Sequence, residues 1–177
     1  YPAQAKGGGG MNRGLEQVRE AVSKALETAG LAVCPAFSPG WAKRYDGPVA
    51  AVGLRSGESR SDAFNSYLGQ QVDPDTQAVR EMYGMRLDMS LSLDIYAPAK
   101  SGGAGCDQAL NTLHQVMLEG LPSGLRPAEL RWEAAVWDET TAMFLRRGSF
   151  SCSAYFVATA TEEGAWLTDF ILKGVLQ

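Results

Sequence analysis

The sequence predicts an α+β fold in which two amphipathic helices pack on one face of a mainly antiparallel sheet. Three observations support this: a helical pattern precedes the strand-like segments, a second one interrupts them, and the strands do not alternate strictly with helices. The chain has 177 residues, enough for one domain that buries a sizeable core without a metal or a disulfide.

The composition is that of an ordinary globular protein. Hydrophobic residues make up 45%, charged residues 20%, and the net charge is −4. An acidic chain lacks the basic face that nucleic-acid binding needs, and no apolar run reaches bilayer length. We therefore expect neither a membrane nor a specific nucleic acid among its partners. The three cysteines have no CxxC spacing and are expected to be reduced thiols of an intracellular protein.

The N-terminal decapeptide differs from the rest of the chain. Residues 1–10 read YPAQAKGGGG, which indicates an expression scar or a linker before a natural start at Met11. No secretory signal pattern is present. We expect one α+β domain over 11–177, with a long insert at about 55–80.

The first elements are a helix and a buried strand. Residues 15–29 place apolar side chains at helical spacing, and Gly30 follows as a stop. A connecting segment with room for one short strand leads to the strand PVAAVGL at 48–54. Residues 55–80 then show no regular period, apart from a short strand or hairpin that the pattern allows around 64–68. Such long loops usually bind a partner or are disordered.

Residues 85–98, MRLDMSLSLDIYAP, predict an unusually long strand. Apolar residues alternate with polar ones without a miss: Met85, Leu87, Met89, Leu91, Leu93 and Ile95 against Arg86, Asp88, Ser90, Ser92, Asp94 and Tyr96. The ten residue steps from Met85 to Ile95 span roughly 33 Å in an extended strand. A typical strand is only about five or six residues long. This strand should be the spine of the sheet, and its polar face should be free for a contact outside the subunit.

A second helix and more strands complete the chain. The glycine-rich SGGAGC is expected to be a flexible connector to a second helix. The apolar stripe of that helix is Leu110, Leu113, Met117 and Leu121, and Gly120-Leu121-Pro122 marks its end. Residues 130–137 and 149–159 each alternate like a strand. Residues 138–148 form either a hairpin connection or the start of the second of these strands. The C-terminal AWLTDFILKGVL predicts one more strand.

No pattern of catalytic or cofactor-binding residues emerges. The single histidine, His114, lies about 12 Å along a helix from Cys106, too far for a nucleophile–base pair. Asp88 and Asp94 are about 20 Å apart on one strand, too far for paired carboxylates. The 102–105 glycines lack a phosphate-loop motif, and DPD at 73–75 lacks the rest of a calcium loop. We predict no enzyme, metal or cofactor; a small ligand-binding or enzymatic domain that uses the glycine loop is the alternative.

The surface residues favour a protein–protein assembly module. Arg146 and Arg147 lie at a turn or a strand start, and Trp41, Lys43 and Arg44 share a short loop. The candidate interface residues are Arg86, Asp88, Asp94 and Tyr96 on the long strand, Arg146 and Arg147, and Phe64 and Tyr67 in the insert. Charge reversal at Asp88 or Asp94 is expected to weaken assembly without unfolding the subunit.

The order of elements resembles the tail terminator, or tail completion, proteins of long-tailed bacteriophages and phage-tail-like particles. The resemblance covers about 11–177 and rests on the N-terminal helix, PVAAVGL, the strand YGMRLDMSLSLDIYAP with its glycine loop and helix, and SFSCSAYFVATATEE. It implies a hexameric ring that caps the tail tube and contacts head or neck proteins, made in the host cytoplasm and carried in the virion tail. It implies no catalytic residues. A tube subunit or a head–tail joining protein is the alternative within this class.

Overall fold

The computed structural model describes residues 13–61, 67–72, 74–119, 121, 125–160 and 166–173. Its fold is α+β, as predicted: within these residues two α-helices pack against one mixed, mainly antiparallel sheet. The helices are α1 (Arg13–Thr28) and α2 (Gly102–Glu119). The strands are β1 (Ala32–Cys34), β2 (Val49–Arg60), β3 (Tyr67–Val72), β4 (Val79–Pro98), β5 (Arg126–Trp132), β6 (Val136–Asp138), β7 (Met143–Arg146), β8 (Gly148–Ala160) and β9 (Trp166–Lys173).

Helix α1 is the predicted N-terminal helix. Side chains four residues apart share a helix face, and the face that meets the sheet is fully buried at Val18, Val22 and Leu26. The helix ends in a Schellman motif. The N–H of Gly30 donates to the carbonyl of Glu27 (2.9 Å), and the N–H of Leu31 donates to that of Leu26 (3.1 Å). Gly30 has φ of 88°, so the predicted glycine stop is confirmed.

Strand β4 is the spine of the sheet and is longer than predicted, with 20 residues. One edge pairs with β2 and β3, and the other pairs with β7 and β8. Met85, assigned by its alternation to the apolar face, is 40% exposed, so full burial on that face begins only at the next apolar position. From there the helix-facing side chains are buried: Leu87, Met89, Leu91, Leu93, Ile95 and Ala97.

The remaining strands extend the sheet on both sides of β4. β1 is parallel to β2, and the other strand pairs in the described part of the chain are antiparallel. β8 pairs with β4, β5 and β9, and β7 pairs with β6. The predicted strands at 149–159 and near the C-terminus are therefore confirmed as β8 and β9. The helix-facing side of this sheet and both helices enclose the main core, which includes Phe150 and Leu113.

The glycine-rich segment is helical and not a flexible connector. Gly102 is the first residue of α2, and the helix continues through Cys106, which is fully buried. A Cβ added at Gly105 would lie 3.0 Å from Cβ of Ala97 and 2.6 Å from Oγ of Ser101. The first turn of α2 thus approaches β4 so closely that only a glycine fits without a shift.

The expected irregular insert at 55–80 consists largely of strands. β2 continues to Arg60, β3 follows at Tyr67–Val72, and β4 already begins at Val79. The expectation was wrong here because pairing with β4 satisfies the backbone of polar, glycine-containing segments that have no hydrophobic period. We call the described residues of 54–61, 67–72 and 74–86 the arm.

The predicted strand at 130–137 is two strands. β5 ends at Trp132 and pairs with β8, whereas β6 begins at Val136 and pairs with β7. Between them the N–H of Glu133 donates to the carbonyl of Arg147 (2.9 Å). Of the two alternatives for 138–148, the hairpin is correct, and β7 is its second strand. Its connection contains Ala142 with φ of 54°.

Candidate assembly surfaces

Asp88 is the centre of an ion-pair cluster on the face of β4 opposite the helices. Its carboxylate accepts hydrogen bonds from Arg60 (2.7 Å) and from Arg86 (3.0 Å). Arg60 and Arg86 are cross-strand partners on β2 and β4, so Asp88 offsets the repulsion between them. All three side chains are partly exposed. The structure therefore brings the predicted residues Arg86 and Asp88 together on an accessible surface.

The environment of Asp94 differs from that of Asp88 on the same face. Its carboxylate accepts a hydrogen bond from the N–H of Gly148 (3.3 Å), where β7 gives way to β8. Burial raises the pKa of Asp94, while the Gly148 hydrogen bond and the nearby Arg147 and Arg55 act against this shift. Asp94 thus contributes to the strand junction inside the subunit. Charge reversal there is expected to disturb the subunit itself, contrary to the sequence-based expectation.

Tyr96 packs inside the subunit and is not free for a partner. Its ring stacks on Phe37 at 4.2 Å between centroids. The loop that carries Phe37 and the 3₁₀ helix Trp41–Arg44 covers this end of the sheet. Beneath it lies a second small core of Cys34, Val49, Ala51 and Met143. Trp41, counted among the surface residues in the sequence, packs against this core, and the Arg44 guanidinium lies 4.9 Å from its ring centroid.

Arg146 links three elements of the subunit. One terminal nitrogen donates to the carbonyl of Glu133 (2.9 Å), and the other pairs with Asp107 of α2. The side chain is only 12% exposed, and its Nε is buried without a hydrogen-bond partner. Arg146 is therefore an internal residue, whereas the neighbouring Arg147 is exposed.

The two predicted insert residues have different outcomes. Phe64 lies outside the described residues. Tyr67 is exposed on β3, and its ring packs edge-on against that of Tyr83, its register partner on β4 (5.5 Å). Tyr67 is thus part of the arm surface.

The structure also exposes large apolar side chains that sequence reasoning missed. On the arm, beside the predicted Tyr67, these are Leu54, Val72, Val79 and Met85. Trp132, whose ring contacts His114 of α2, and Trp137 of β6 are 46% and 45% exposed. Their residue type could have suggested an interface, but their exposure follows only from the break between β5 and β6.

The outer face beside Asp88 is a shallow polar depression. It has a volume of about 410 Å³ and spans β2, β4 and β8. Small hydroxyl side chains and charged groups dominate its lining: Ser56, Glu58, Arg86, Asp88, Ser90, Ser151 and Ser153. The depression therefore presents hydroxyl and charged groups to the solvent.

The residues considered for chemistry are used structurally. The His114 ring packs edge-on against Trp132 at 5.0 Å. All three cysteines are free and buried, and burial raises the pKa of Cys152 to about 11, which keeps it a thiol at neutral pH. The described residues contain no group of three His, Cys, Asp or Glu side chains that could hold a metal ion.

Comparison with known proteins adds no relative: no protein-family model matches the chain, and no curated protein matches it significantly. Neither helix in the described part of the chain is long and apolar enough to cross a membrane.

Proposed function

We propose that this protein is a structural subunit of a phage tail or tail-like particle, and that it forms a ring capping the tail tube. The arm is the observation that carries the proposal. It is a sheet extension that exposes apolar side chains instead of burying them: Leu54, Tyr67, Val72, Val79 and Met85. Side chains of this kind cost free energy in water, and a partner that covers them recovers about 25 cal/mol per Å².

The position of the arm supports an assembly role. Its six-residue strand β3 pairs with the start of β4, and its β2 segment is exposed from Leu54 to Arg60. β8 pairs with the β4 part of the arm, whereas β3 pairs with β4 alone among the described strands. Burial of the exposed apolar side chains against a second protein would stabilise this extension of the sheet.

The size of the arm also fits this role. It supplies eight, six and thirteen described residues in its three segments, twenty-seven in all. A standard protein–protein interface takes about 20–30 residues from each side. The arm alone can therefore form one complete contact between subunits, and the resemblance of the chain to tail terminators gives that contact its place at the tube end.

The experiment is deletion of the gene in its host, followed by induction of particles and measurement of tail lengths by electron microscopy. Overlong, headless tubes are the expected result, because nothing would stop tube growth. Complementation with the wild-type gene restores normal length, which controls for polar effects of the deletion. Normal tails in the deletion strain would refute the proposal, and a complete loss of tails would favour a tube subunit instead.

A further inference from the structure

We draw no further inference here: the strongest candidate, the apolar surface that Tyr67, Val72, Val79 and Met85 expose on the arm, already carries the proposed function, and nothing in the structure shows what covers it.

Discussion

Gly148 offers the sharpest test of the packing between β4, β7 and β8. A Cβ added there would lie 2.6 Å from the carbonyl oxygen of Leu93 and 3.2 Å from that of Arg131. Both oxygens belong to backbone held by strand pairing, so neither can rotate away as a flexible side chain would. We expect Gly148→Ala to lower the free energy of unfolding by about 2–3 kcal/mol, the upper part of the range for overpacked sites.

Gly57 of β2 is the matched control. Its added Cβ would lie 3.4 Å from Cγ of Met89 and 3.5 Å from the carbonyl oxygen of Asp88, which is ordinary contact. Neither glycine has a left-handed φ, so the two substitutions differ mainly in packing. Gly57→Ala should leave stability unchanged or raise it by up to about 1 kcal/mol. Urea unfolding followed by tryptophan fluorescence measures both, and equal effects of the two substitutions would refute the reasoning.

Three further substitutions probe the polar face and the hairpin. Burial raises the folded-state pKa of Asp94 above its usual value of 3.8. The protonated carboxyl group is therefore favoured in the folded state, and the stability that it contributes is lost as the pH rises through the folded-state pKa. Asp94→Asn keeps an acceptor for Gly148, so its stability relative to wild type should be higher at pH 7 than at pH 3 in urea titrations. Asp88→Asn should instead lower stability at pH 7 by about 1 kcal/mol, since it weakens two partly exposed ion pairs; no loss in a urea titration would contradict this. Ala142→Gly should raise the melting temperature, because a left-handed alanine costs about 1–2 kcal/mol and the entropy of glycine offsets only about half of this.

The candidate site could be predicted from the sequence only in part. The alternation of the long strand correctly assigned Asp88 and Asp94 to one face. It could not show that Arg60, 28 residues away along the chain, would bind Asp88, or that the N–H of Gly148 would bind Asp94. These partners come from neighbouring strands, and the register between strands is a property of the assembled sheet.

The sequence by itself determined the elements whose pattern is local. Helix α1 and the long strand follow from the spacing of apolar residues along the chain, because that spacing determines which side chains can be buried on one face. The glycine stop of α1 is likewise a local signal. The α+β class then follows from the order of these elements. The same physics determined the confirmed β8, whose apolar side is buried at Phe150, Cys152 and Ala154.

Other features were decided only by the tertiary structure, because contacts between distant segments outweighed the local conformational preference of the residues. The arm became strands because β4 offered its backbone for pairing, although residues 55–60 have no apolar period. Gly105 is required in the first turn of α2 because the helix lies against Ala97 there. The strand at 130–137 is broken because β5 and β6 pair with different partners. In each case, the hydrogen bonds and close contacts of distant segments outweighed propensities worth about 1 kcal/mol per residue or less.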